Sequence, residues 1–396
     1  MVDAPAGRWR ELDGLRAIGM WMVFVYHAWG MSGQPVIAYD TPAGRLDFTG
    51  LMQAGALGTT LIFALAGFFA QLPRERAGRA RPGYVEEAAP RLLRLAPAYY
   101  AAGLAGLAVL AWSGRLPDHG IAADLLLDAT FLQSLSPVER FAPVGSMWAI
   151  ATVAMFYAIS PALSRLLEGR RWRWGAPLLL GAALASRALI LGSHDAWWLE
   201  HKLPPRLDSF VFGMLAAKAI GAMSRDARAR DWIRRQARWL GGAAAILAGL
   251  GVGLAASDAF NQPGSLAWYL ARPALGAAAG LGLPVLMQGS WGIARRALRH
   301  PAIAAVGTAS YSAFLWHLVA FDLLQSTGWL SDLTQPGQFK ALLAAGGALT
   351  AILGAASYLA LERPFQSGGV VRLWLAQRHA ALVSRKSASA VTHAGR

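Results

Sequence analysis

Among the ionisable residues inside apolar runs of this chain, Arg16, His27, Arg187, Asp208 and His317 are the candidates for chemistry. On helix-insertion scales each costs about 2.5–3.5 kcal/mol, so a chain that keeps several is spending stability on something. Arg16 and His27 stand eleven residues apart in ELDGLRAIGMWMVFVYHAWG, residues 11–30. On an α-helix that separation is about 16 Å, just over three turns, which puts both on nearly the same face at different depths. A deep neutral imidazole can act as a general base towards a hydroxyl. The plain alternative is a buried histidine bonded to a backbone carbonyl. His317, beside Trp316, has the same two readings: a second base or oxyanion donor, or a bond that holds a bundle together.

Other charged residues sit where apolar runs begin or end. Arg91 and Arg94 are three apart, on one face of a helix start. The planar guanidinium fork suits phosphate, although arginines so placed also set topology and bind lipid headgroups. The looser group Arg74, Arg76, Arg79 and Arg81 reads as topological. Arg206 and Asp208, two apart, point away from each other on a helix, either towards a polar substrate or towards ion-pair partners on other helices. Asp13 precedes the first turns, where a carboxylate offsets the free N–H groups and can also orient Arg16. Arg187 belongs to no motif and calls for an interhelical partner.

The elements that must carry these side chains are membrane helices. Hydrophobic residues make up 55% of the 396, charged residues only 15%, and the mean hydropathy is +0.37; lipid rejects charge, and this is the balance that results. Ten apolar segments approach the roughly 20 residues needed to span a bilayer: 15–32, 54–72, 96–113, 146–164, 174–192, 206–223, 240–256, 267–288, 302–323 and 340–361. With the N-terminus in the cytoplasm, the inner stretches hold 29 of the 37 Lys and Arg residues and the outer ones seven. The bias alternates loop by loop, as the positive-inside rule requires, and predicts both termini inside. It also accounts for the net charge of +15 without a nucleic-acid partner, because the arginines form short clusters between apolar runs. Tryptophans 112, 197, 198, 268 and 329 fall at outer edges and 172, 174, 232 and 239 at inner ones, the pattern of aromatic belts. The N-terminus lacks a clear cleavage site and reads as a retained first helix. Residues 1–366 form one domain in this reading, and the polar tail 367–396 is expected to be disordered and cytoplasmic.

Seven motifs, in order, resemble the membrane acyltransferase-3 family. They are the DGLR entry with its histidine eleven positions after the arginine; LIFALAGFFAQL at 61–72; RLLRLAPAYY at 91–100; SMWAIATVAMFYAISPAL at 146–163; LPPRLDSFVFGMLAA at 203–217; GTASYSAFLWH at 307–317; and ALERPF at 360–365. The resemblance runs from about residue 8 to 366. It implies an all-α polytopic bundle that moves an acyl group, often acetyl, from cytoplasmic acyl-CoA to a hydroxyl. The acceptor would be a cell-envelope carbohydrate or a small natural product, and the location the bacterial inner membrane, with membrane lipid around the chain. On that reading His27 is the base. Trp148, Tyr157, Ser310 and His317 are candidate donors to the oxyanion. Arg16, Arg91 and Arg94, with Asp13, would meet the coenzyme phosphates, and Arg206, Asp208 and Ser310 the acceptor. One position departs from the family: the glutamate usual five residues after the motif tryptophan is Val153 here, which raises the alternative of a member with altered chemistry.

Other chemistries lack their signatures. There are no cysteines, the eight histidines show no metal-ligand spacing, and no Gly-rich phosphate loop or Gly-x-Ser-x-Gly elbow occurs. A proton- or lipid-linked transporter would fit ten helices with intramembrane charge, but the half-to-half repeat and paired broken helices of transporters are missing. No motif speaks to oligomeric state.

Overall fold

The computed structural model describes residues 9–77, 83–138 and 140–366. The tail 367–396 and the arginines at 79 and 81 lie outside the described residues. The principal helices are α1 (Arg10–Met31), α2 (Gly58–Ala77), α3 (Tyr84–Trp112), the short α4 (Ala122–Ala129), α5 (Met147–Leu166), α6 (Trp172–Leu189), the short α7 (Ala196–Glu200), α8 (Leu203–Arg225), α9 (Ala227–Ala255), α10 (Leu266–Met287), α11 (Pro301–Thr308), α12 (Ser310–Ser326) and α13 (Gln335–Phe365). A two-stranded hairpin, Ala38–Thr41 with Gly44–Asp47, is the whole of the sheet among the described residues.

Every one of the ten apolar segments is helical. Seven helices are long and apolar enough to cross a membrane, and the pair α11–α12, bent by 72° at Ala309, makes eight if it counts as one span. α1 and α6 fall outside that set. The first two turns of α1 carry Arg10, Glu11, Asp13 and Arg16; α6 has 18 residues and holds Arg173 and Arg187. The protein is therefore an all-helical membrane bundle, while the count of ten rests on the charge alternation.

Two close helix crossings shape the interior. Gly67 of α2 faces the backbone of α8, where a Cβ would stand 2.0 Å from the Phe210 carbonyl oxygen; Gly213 of α8 faces α2, where a Cβ would stand 1.7 Å from the Ala64 oxygen. Small residues let helices meet backbone to backbone where lipid supplies no hydrophobic drive. The Ala-Gly-Phe motif of α2 is this crossing. Similarly, Gly307 near the end of α11 lies against the backbone of Asp13, where a Cβ would meet its oxygen at 1.8 Å. That contact holds α11 across the start of α1, and the bend at Ala309 then turns α12 into the bundle.

Among the tryptophans, 112, 172, 174, 197, 232, 239 and 329 are exposed, as belt residues should be. Trp268 is not: it is fully buried, and Trp198 is half-buried on a cavity wall. Edge position in the sequence does not distinguish a lipid-facing indole from an inward one.

Candidate active site

A cavity of about 760 Å³ lies between α1, α2, α3, α5, α12 and the end of α13. On α2 its lining runs from Arg76 to Thr59, a length of about 26 Å along the helix. One end is strongly basic, with Arg16, Arg76, Arg91 and Arg94 all on the wall. Two carboxylates share that end. Asp13 pairs with Arg16 at 3.3 Å, and Glu362 pairs with Arg94 at 3.3 Å and accepts from Ser312 Oγ at 3.0 Å. The Arg16 guanidinium also lies over the Phe69 ring, 4.3 Å from its centroid. Arg91 donates to the Ala70 carbonyl at 2.8 Å and pairs with Glu87, so it also fastens α3 to α2. Arg94 is the more exposed of the two, at 38% against 17% for its side chain.

The sequence pattern groups Arg76 with topological residues and marks Glu362 only as part of ALERPF. The structure puts both on the cavity wall. Arg74, by contrast, is taken up by Glu87 and Glu168. Glu362 lies in a π-helical stretch, Tyr358–Glu362, and such turns re-aim a side chain that a regular helix would place elsewhere. No periodicity in ALERPF announces that turn. Tyr157, Ser310 and Val153 also line the cavity, with Ser310 Oγ donating to the Gly307 carbonyl at 2.8 Å.

The far end of the cavity reaches Phe63, Ile150 and Phe314. One helical turn beyond Phe314 stands His317, fully buried, and its Nε2 is 2.8 Å from Nδ1 of His27. Neither histidine is on the cavity wall itself. Their tautomers follow from one backbone atom. His317 Nδ1 lies 2.6 Å from the Phe314 carbonyl oxygen, which can only accept. His317 therefore carries its proton on Nδ1, and its Nε2 has a lone pair. His27 Nδ1–H donates to that lone pair, which leaves His27 Nε2 unprotonated. The sequence offered the two histidines as rivals or partners; the structure sets them in line, with His27 as the outer member and His317 as the group that orients it. The same Phe314 carbonyl accepts from Ser146 Oγ at 3.4 Å, which ties the start of α5 to the pair.

Trp148 does not line the large cavity. Its ring meets Phe63 edge-on at 6.2 Å and His201 at 4.5 Å, and it faces a second cavity of about 260 Å³. Arg206 and Asp208 belong to a buried ion network. Arg187 of α6 pairs with Asp208 at 2.8 Å, and Glu200 of α7 lies between Arg272 of α10 at 2.8 Å and Arg206 at 3.7 Å. The partner that Arg187 required is thus Asp208. Three buried arginines against two carboxylates knit the ends of four helices, and the Arg206 guanidinium lies 5.6 Å from the Trp148 ring, where it supports the wall between the cavities. In the second cavity, burial and then the nearby Asp124 push the Asp128 carboxyl up to about 7. No group of metal-ligating side chains occurs among the described residues.

Comparison with known proteins bears on what this arrangement serves. The profile of the acyltransferase domain, acyltransferase family 3, matches residues 9–360. The chain belongs to the acyltransferase-3 family. It is also 27% identical over 328 residues to the exopolysaccharide production protein ExoZ of Rhizobium meliloti (strain 1021), a match covering 80% of this chain and 92% of that one. No solved structure matches it. This acyltransferase is therefore an integral membrane enzyme with an acyl donor and a hydroxyl acceptor, and the long cavity and the histidine pair fall within the matched region.

Proposed function

We propose that this acyltransferase takes an acyl group, acetyl in the simplest case, from cytoplasmic acyl-CoA and transfers it to a hydroxyl of a carbohydrate or natural product. The observation that carries this reading is a long cavity that is basic at one end and runs at the other to within one helical turn of an oriented histidine pair. Coenzyme A is a polyanion at its nucleotide and a thin neutral arm beyond. Arg16, Arg76, Arg91 and Arg94 fit the first, and the apolar wall of Phe63, Ile150 and Val153 fits the second. The similarity to an exopolysaccharide production protein favours an envelope carbohydrate as acceptor.

The chemistry then follows from the tautomers. His27 Nε2 takes the proton of the acceptor hydroxyl as its oxygen attacks the thioester carbonyl. The His27 imidazolium that forms still donates from Nδ1 to His317 Nε2, and that bond strengthens because the donor is now charged. As the C–S bond breaks, the proton passes from His27 to the departing sulfur, giving free CoA and the ester. The Val153 position is no obstacle to this sequence, since no step uses a carboxylate. The basic cavity end faces the cytoplasm in this proposal, as the charge alternation requires. Reporter fusions after residues 130 and 230 should report outside and inside respectively.

The test is acyl transfer by the purified chain in lipid nanodiscs. With labelled acetyl-CoA and an envelope polysaccharide fraction from the producing cell, free CoA should appear in step with labelled ester, and His27→Ala should lower both by at least about 100-fold. Acceptor-linked CoA release at near wild-type rate in folded His27→Ala would refute the proposal.

A further inference from the structure

We propose that the second cavity, beyond the end of the large cavity away from Arg16, Arg76, Arg91 and Arg94, holds the acceptor as a neutral polyhydroxyl group such as a sugar ring, with Asp128 accepting its hydroxyl hydrogens. The proposal rests on the acyl-transfer reading for its role but stands on its own geometry.

Four buried polar atoms on this one wall lack a hydrogen-bond partner: both carboxylate oxygens of Asp128, Oε1 of Gln133 and Nε1 of Trp198. Leaving a buried polar group unpaired is costly, so four converging on a single space mark a site built for a polar ligand. Asp128 is 3% exposed, and its neighbours are already spent elsewhere. Tyr99 O–H donates to the backbone carbonyl of Asp128, not to its side chain; Gln133 gives its amide N–H to the Tyr99 oxygen; and Lys202 donates to the Gln133 backbone carbonyl. Arg140, on the rim, is taken by Asp124 and Ser136.

The ligand class follows from the inventory. Three orphaned acceptors and one orphaned donor require a partner rich in O–H groups with at least one oxygen to accept. Arg140 is already balanced by Asp124, and burial holds the Asp128 carboxyl to about 7, so the wall carries little net charge near neutral pH and favours a neutral ligand. The indoles of Trp148 and Trp198 offer flat apolar surface to ring C–H groups. The volume of about 260 Å³ lies just below the range usual for drug-sized ligands, which suits one ring and not a long chain.

Position joins this cavity to the chemistry. Gly145 on its wall lies against Leu318, the neighbour of His317, and Ser146 shares the Phe314 carbonyl with His317. The large cavity ends at Phe314 and Phe63, and Phe63 meets Trp148, which lines the small one. The histidine pair thus lies where the two cavities approach each other, and Trp148 is the partition.

Equilibrium binding of tritiated glucose, galactose and cellobiose to the full chain in nanodiscs tests this, with acetyl-CoA binding measured on the same samples. At least one sugar should bind saturably. Asp128→Asn should weaken it at least tenfold and Trp198→Phe, which keeps a ring but loses the N–H, several-fold, while acetyl-CoA binding stays within twofold. If Asp128→Asn does not fold, judged by its thermal midpoint, Trp198→Phe carries the test alone. Absence of saturable binding of all three sugars, or binding unchanged in the folded variants, overturns the assignment. So does saturable sodium or calcium binding that depends on Asp128 while no sugar binds, which would mark a cation site. Sugar binding that depends on Asp128 in a chain that neither binds nor turns over acetyl-CoA would refute the acyl-CoA reading and leave this one standing.

Discussion

Replacing His317 should damage catalysis less than replacing His27, and by an amount the geometry sets. His317 touches no reacting atom in the proposed reaction; it acts by accepting from His27 Nδ1–H at 2.8 Å and so holding the lone pair on His27 Nε2. A neutral hydrogen bond of this type contributes about 0.5–1.5 kcal/mol net. Its loss in His317→Phe should shift the tautomer balance of His27, and hence kcat, by roughly 2- to 13-fold at 0.59 kcal/mol for RT. Removal of the general base itself, in His27→Ala, should cost about 100- to 10,000-fold. His317→Gln supplies an amide oxygen that can accept from the same N–H, so it should recover part of the loss seen in His317→Phe. The assay is single-turnover acyl transfer at saturating acetyl-CoA, with donor affinity measured separately and expected to be near normal in all three variants. The reasoning fails if His317→Phe is as severe as His27→Ala in folded protein. It also fails if His317→Gln is no better than His317→Phe, because a merely structural role would not respond to the restored acceptor.

Arg94→Ala should raise the dissociation constant for acetyl-CoA by roughly 10- to 160-fold if it gives up one charge-assisted bond of about 1.5–3 kcal/mol; adding Arg91→Ala should weaken binding further, and isothermal titration with an unchanged constant would remove both from the donor site. Asp208→Ala strands the Arg187 charge in a buried setting, where breaking one partner of an ion pair costs about 3–5 kcal/mol; a thermal midpoint in detergent equal to wild type would show that the network does not bear on stability. Asp128→Asn should change stability in a pH-dependent way: an unfolded aspartate ionises near pH 4 while this one is held to about 7, so the folded state loses stability as pH rises across that window, by about 1.4 kcal/mol per pH unit at most. The asparagine variant should therefore gain over wild type at pH 8 and not at pH 4, and melting curves with equal differences at both would contradict the shift. Gly213→Leu should prevent folding of the bundle, since no side chain fits 1.7 Å from the Ala64 oxygen; a folded, active variant in size-exclusion and transfer assays would count against the crossing.

Much of this protein was determined by its sequence alone. Apolar length and the alternation of arginines are local quantities, and lipid enforces them helix by helix, so the ten segments, their helicity and the basic end of α3 could be read before any packing was known. The eleven-residue spacing of Arg16 and His27 was equally legible, because a helix converts separation into depth. What remained hidden depends on contacts between distant residues. His27 and His317 are 290 positions apart, and only the fold shows that they touch and that a carbonyl at Phe314 decides which nitrogen is free. Glu362 reaches the large cavity through a π turn, a break in the periodicity on which sequence reading relies. Arg206 and Asp208 turned out to face Glu200 and Arg187 across helices, because a charge buried in lipid must find its partner wherever packing supplies one. Asp128 had no signal at all: it sits in a short helix outside the spans, and only tertiary structure, by burying its carboxylate on the wall of a polar cavity, sets it apart.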